Sequence, residues 1–161
     1  MSIQDRMADF QPTFLETMTT ETVKYYVGDL CYVIEDDVWS EVCEQSFDPD
    51  NEPGDLLELA DGRQFFILRT AYGDGFYCDA EGRTYAVDSG TIGAIKVDDI
   101  IATDKLERTI SQGHGQIVEF EFEMVNGDVF DDNGTLCFDS VQIVTGGSYE
   151  EEEVEEEEDD A

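Results

Sequence analysis

The stretch Thr70–Gly93, TAYGDGFYCDAEGRTYAVDSGTIG, decides the fold. Gly73 and Gly75 bracket Asp74, Gly82 follows Asp79-Ala80-Glu81, and Gly90 follows Asp88-Ser89. Between these turns lie Phe76-Tyr77-Cys78 and Thr84-Tyr85-Ala86-Val87, which are aromatic and β-branched. Short strands split by Asp/Gly turns predict an antiparallel meander. Glycine supplies the positive φ that tight turns need, and Asp bonds the backbone two residues on.

The flanking chain extends the pattern. Leu56–Ala71 reads as a hairpin with Asp61-Gly62 at its turn, and Asn126-Gly127 and Asn133-Gly134 carry the same chemistry. Val23–Ile34 reads as two strands broken at Gly28-Asp29. Asp36-Asp37 opens a helix whose Val38/Val42 and Trp39/Cys43 repeat at i, i+4, and Asp48-Pro49 ends it. Thr91–Val97 is a further strand, and Asp98–Ser111 holds a second short helix. Val118–Val125 alternates cleanly. Val118, Phe120, Phe122 and Met124 share one face, and Glu119, Glu121 and Glu123 share the other. The expected fold class is α+β, mainly antiparallel sheet with one or two short helices. The expected organisation is an N-terminal arm (1–22), one β-rich domain (23–147) and an acidic tail (148–161) expected to be disordered.

Charge is the outlying property. The 161 residues hold 41 acids and eight bases, a net charge of −33. Ten of the acids fall within Glu150–Asp160, so the rest of the chain still carries −23. Such a chain repels nucleic acid and anionic membranes and attracts basic proteins and divalent cations. The expected partner is therefore a basic protein, with no direct nucleic-acid or membrane contact. The first twenty residues show no apolar signal core, so a cytoplasmic location is expected. In that compartment Cys31, Cys43, Cys78 and Cys137 should be reduced, and none forms a CxxC pair.

Few residues offer chemistry. His114, between Gly113 and Gly115, is the sole histidine, and Ser89 lacks the G-x-S-x-G setting of a nucleophile. No Walker or dinucleotide fingerprint is present, so no cofactor is expected. Asp29, Asp74, Asp79 and Asp88 sit beside turns of one presumed sheet. If their loops converge, they could form an oxygen-rich cation or partner site, although no EF-hand spacing fits. Glu119, Glu121 and Glu123 form a candidate acidic interaction face. Alternate strand residues lie about 6.6–6.8 Å apart, close to two phosphate steps of about 3.4 Å each in duplex DNA.

The strings Tyr26-Val27-Gly28-Asp29-Leu30-Cys31-Tyr32-Val33-Ile34, Trp39 with Cys43, Ala71-Tyr72-Gly73-Asp74-Gly75 and Tyr85-Ala86-Val87-Asp88-Ser89-Gly90 resemble a group of uncharacterised small proteins of tailed bacteriophages and large DNA viruses. The resemblance spans roughly residues 24–145. It implies a viral source and a compact domain, and it carries over no catalytic residue. The leading expectation is a non-enzymatic accessory protein that binds another protein. The alternatives are a DNA mimic that occupies the groove of a host DNA-binding or defence protein, and a divalent-cation-dependent enzyme using the turn aspartates.

Overall fold

The computed structural model describes residues 22–146. The arm and the acidic tail therefore lie outside the described residues, apart from Thr22. Ten strands form two five-stranded sheets, with every pairing antiparallel. In chain order they are β1 (Val23–Gly28), β2 (Leu57–Glu58), β3 (Gln64–Arg69), β4 (Gly75–Asp79), β5 (Thr84–Val87), β6 (Thr91–Lys96), β7 (Gly115–Phe120), β8 (Val129–Asp132), β9 (Thr135–Phe138) and β10 (Val141–Val144). Sheet I runs β2-β3-β6-β1-β7 and sheet II runs β5-β4-β10-β9-β8. Two helices, α1 (Asp36–Ser46) and α2 (Thr103–Ser111), complete the mainly antiparallel α+β fold.

The two sheets pack face to face, and sheet I is also covered on its other side. Tyr25 and Val27 of β1, Phe66 and Leu68 of β3, and Ile92 and Ala94 of β6 meet Tyr85, Leu136, Phe138 and Ile143 of sheet II. Tyr26, Phe65, Ile67 and Ile95 point the other way, into a second core with Leu30, Val42 and Leu106. Burial on both faces explains why β1, β3 and β6 read as unbroken apolar runs. In sheet II, β10 alternates buried with exposed, as expected where one face meets water.

Three sequence expectations are corrected. The meander in Thr70–Gly93 does not stay in one sheet. β4 and β5 belong to sheet II, whereas β6 crosses into sheet I. The second strand expected within Val23–Ile34 is a 3-10 turn at Leu30–Tyr32, started by Asp29, whose side chain accepts from the Cys31 amide. The strand expected over Val118–Val125 instead spans Gly115–Phe120. The chain then turns so that Met124 re-enters the core, where its amide donates to the Tyr25 hydroxyl at 3.0 Å. Phe122, placed on the core face by strict alternation, is 77% exposed as a result. The Asn133-Gly134 hairpin does form, joining β8 to β9, with φ of 58° and 94° as a two-residue turn of this type requires.

A row of glycines crosses sheet I. Gly28 pairs with Gly93 on one side and with Gly115 on the other. A methyl group on Gly115 would lie 2.5 Å from the Tyr26 ring, and one on Gly93 would lie 2.8 Å from the Leu30 side chain. The bare backbone lets Tyr26 and the Leu30 turn lie flat on the sheet. The two sheets are also joined at one edge. The Ala86 amide donates to the His114 carbonyl at 3.0 Å, the Thr84 hydroxyl to the Gly113 carbonyl at 2.6 Å, and the Gln116 side chain to the Thr84 carbonyl at 2.9 Å. The outer edge of β5 is thereby covered by residues 113–116.

Candidate functional site

The turn aspartates divide between the two ends of the β4–β5 hairpin. At one end, Asp29 is fully buried, and its carboxylate is saturated. Oδ1 accepts from the Cys31 amide at 3.0 Å and the Ser89 hydroxyl at 2.8 Å; Oδ2 accepts from the amides of Asp88 at 2.7 Å and Ser89 at 2.8 Å. Four donors fill the four lone-pair positions of a carboxylate. The Ser89 hydroxyl also pairs with that of Thr91 at 2.6 Å. The Gly28-Asp29 and Asp88-Ser89-Gly90 strings thus form one latch between the end of β1 and the β5–β6 turn. Ser89 is a structural hydroxyl in this latch.

Asp74 and Asp88 lie at the same end and are exposed. Asp88 Oδ2 accepts from the Tyr32 hydroxyl at 2.9 Å. Asp74 faces the same turn, since a methyl group on Gly90 would come within 4.0 Å of its Oδ1. The loops of Asp29, Asp74 and Asp88 therefore converge, as the cation-site reading requires, but the Asp29 oxygens are fully committed to protein donors. Among the described residues no three His, Cys, Asp or Glu side chains come together in a way that could hold a metal ion.

Asp79 sits apart, at the far end of β4. Its carboxylate accepts from the Tyr85 hydroxyl at 2.6 Å, Arg83 Nε at 2.7 Å, and the amides of Glu81 and Arg83 at 2.9 Å each. Burial pushes its pKa up, but these bonds outweigh burial and hold it below the ordinary carboxylate range. Burial, and then the bond to Asp79, push the Tyr85 phenol well up. Asp79 closes its own hairpin.

His114 is half-buried between aromatic rings. Its imidazole centroid lies 5.7 Å from Tyr32 and 6.0 Å from Phe76. Phe76 stands on the outer face of sheet II and is 75% exposed. A continuous strip therefore runs Asp88–Tyr32–His114–Phe76. Burial and then the bond to Asp88 raise the Tyr32 phenol, which remains a neutral donor at physiological pH. The sequence offers no signal for this strip, because Tyr32 comes from the 3-10 turn after β1 and Phe76 from β4 of sheet II, and the period of Phe76-Tyr77-Cys78 does not say which face meets water.

The three glutamates of the candidate acidic face do line one cleft, though not as a straight strand row. A cleft of about 470 Å³ is walled by Glu119, Glu121, Phe122, Glu123, Asp128 and Asp139. Glu119 pairs with Lys24 at 3.8 Å across the β1–β7 register, and Glu123 pairs with Lys96. Among the described residues, Glu121 and Asp139 form no ion pair. Because the strand ends at Phe120, the phosphate-like spacing does not extend past Glu119.

Among the described residues every base but the exposed Arg108 has a partner within the fold. Arg63, 9% exposed, bonds Glu35, Asp61 and the Asp99 carbonyl at 3.0–3.2 Å. Arg83 is held by Asp79, and Lys105 by Asp36 and the Ile34 carbonyl. The Arg69 guanidinium lies 4.4 Å over the Phe47 ring. All four cysteines carry free thiols. No described helix is long and apolar enough to cross a membrane. No family model, curated protein or solved structure matches the chain.

Proposed function

We propose that this chain is a non-enzymatic accessory protein that works by binding a basic protein. The observation that carries this reading is the division of its charges. Of the seven bases among the described residues, six are tied to carboxylates, backbone carbonyls or a phenylalanine ring within the fold and only Arg108 has no such partner, while Glu121 and Asp139 stand without ion pairs among the described residues, around the exposed Phe122. An apolar side chain set among unpaired carboxylates suits a basic, partly apolar surface: the ring supplies buried area, and the charges steer approach and fix register. The turn aspartates, taken up by backbone amides and neighbouring side chains, support a structural role over metal-assisted catalysis. A viral setting, in the host cytoplasm, is part of the proposal and rests on the string resemblance alone.

The test is affinity capture from host lysate at low and high salt, with the full chain and with Glu121→Lys/Phe122→Ala. A basic partner retained at low salt and lost from the variant supports the reading. Capture that is indifferent to both salt and variant overturns it. Adding duplex DNA separates simple protein binding from DNA mimicry. A partner displaced by DNA is one whose nucleic-acid groove this protein occupies; a partner held equally well in excess DNA is bound elsewhere.

A further inference from the structure

We propose that the strip Tyr32–His114–Phe76, with Asp88 and Asp74 beside it, is the docking site for an arginine side chain of the basic protein partner. This rests on the reading that the partner is a basic protein, and it adds a second contact point, distinct from the cleft around Phe122.

The argument begins with Phe76. A phenylalanine 75% exposed on a well-paired strand leaves most of its ring face in water. Its register partner Ala86 is small, so nothing across the β4–β5 pair covers the ring. His114 supports it from one side in an edge-to-face arrangement, with the rings 64° apart, which fixes its orientation while leaving a face open. Tyr32 backs His114 in turn and is pinned by its hydrogen bond to Asp88. The strip is therefore pre-organised, and a ligand would lose little side-chain freedom in using it.

The chemistry of the occupant follows from what flanks the rings. Both neighbouring titratable side chains with free oxygens, Asp88 and Asp74, are carboxylates. Asp88 has a second oxygen beyond the one bonded to Tyr32, and Asp74 lies two residues before Phe76. An aromatic face beside carboxylates selects a cation that is planar, weakly hydrated and able to donate several parallel hydrogen bonds; that description fits guanidinium better than ammonium. The protein itself contains the geometry: exposed Phe47 carries the Arg69 guanidinium 4.4 Å above its ring. Phe76 is the corresponding ring with no cation of the described residues over it.

Because His114 is the only histidine, its imidazole protons are single, assignable NMR signals at the centre of the strip. The probe is a nine-residue peptide of alternating glycine and arginine, titrated into the full chain, with the glycine–lysine peptide as comparison. Expected is a saturable movement of the His114 ring signals, with the arginine peptide bound at least fivefold more tightly than the lysine peptide. Phe76→Ala and Asp88→Asn should each weaken the arginine peptide tenfold or more. Phe76 packs little on the core, and Asp88→Asn keeps an acceptor oxygen for the Tyr32 hydroxyl, so unchanged melting temperatures should confirm both variants as folded. If the peptide binds but its effects centre on residues 119–128 and ignore Phe76→Ala, the strip is not the arginine site, although the basic-partner reading stands. If lysine and arginine peptides move His114 equally, the guanidinium assignment is overturned. If neither peptide binds at low salt, both readings fall together.

Discussion

The Asp29 carboxylate accepts the Ser89 hydroxyl at 2.8 Å, sixty residues away in sequence, and the same carboxylate takes the backbone amides of Asp88 and Ser89. This contact joins the end of β1 to the turn that carries the chain from sheet II into sheet I. Asp29→Ala would leave buried donors without an acceptor, at a cost of about 3 kcal/mol, whereas Ser89→Ala removes donor and contact together and should cost about 1 kcal/mol. In a double-mutant cycle, the second substitution should cost markedly less in the presence of the first. Urea denaturation of the four proteins measures this, and additive costs would show that the latch does not act as a unit.

Gly115→Ala should destabilise the fold by about 2 kcal/mol, because the added methyl meets the Tyr26 ring at 2.5 Å in a close-packed layer. Tyr26→Leu should be harmful alone, since it empties part of that layer and removes the hydroxyl that donates to the Asp29 carbonyl at 3.0 Å. Combined, the two should cost less than their sum. Full additivity in thermal melts would mean that the glycine row is not there to seat the ring.

Stability should pass through a maximum in mildly acidic solution. From pH 7 downward, protonation of exposed carboxylates eases the repulsion of a chain with net charge −33, so the melting temperature rises at first. Asp79 acts in the opposite sense. Its folded pKa lies below the unfolded value of about 3.9, so its contribution is complete above the unfolded pKa and is lost as pH falls through the folded one. Glu35 and Asp61, both lowered by Arg63, add to the same acid limb. Asp79→Asn should melt lower than the parent at pH 7, and the gap should narrow between about pH 5 and pH 2. A gap that stays constant over that range would count against an ionised Asp79 as the source.

Arg63→Ala should cost about 3 kcal/mol, because it strands Glu35 and the Asp99 carbonyl beside a half-buried helix start. Arg63→Lys should recover less than half of that, since an ammonium cannot serve Asp61 and Glu35 in the forked manner of a guanidinium. Chemical denaturation of the two variants decides the matter, and equal stability of lysine variant and parent would show that only the charge counts.

Local turn chemistry is readable because it depends on one or two residues. Asn133-Gly134 and Asp61-Gly62 each join a pair of antiparallel strands, but Asn126-Gly127 does not: β7 ends at Phe120, and β8, which starts at Val129, lies in the other sheet. The partition into two sheets is not readable in that way, since the step from Val87 to Thr91 looks the same whether the next strand pairs with β5 or leaves it. The strand after His114 is misplaced by strict alternation because Val118, Phe120 and Met124 are all buried, although between the last two lies a turn that Tyr25, 99 residues from Met124, holds in place. Of the proposed site residues, Asp29, Asp74 and Asp88 all lie in or against the β5–β6 turn without forming a three-carboxylate cluster, and Glu119, Glu121 and Glu123 line one cleft. That Asp29 is saturated and Phe76 uncovered depends on partners from distant segments, which no spacing along the chain announces.

The bonding of residues 113–116 to β5 also bears on how molecules of this protein meet one another. A sheet edge with free amides and carbonyls invites a strand from a second molecule. With the β5 side covered, the remaining edge of sheet II is β8, where Asp131 and Asp132 follow Phe130 and where two molecules approaching edge to edge would bring like charges together. The edges of sheet I are the two-residue β2 and the part of β7 that ends beside the acidic cleft. Protection from fibre growth is thus electrostatic on β8 and steric on β5, so concentrated solutions that remain clear at neutral pH should form fibres through β8 once the carboxylates are neutralised by acid.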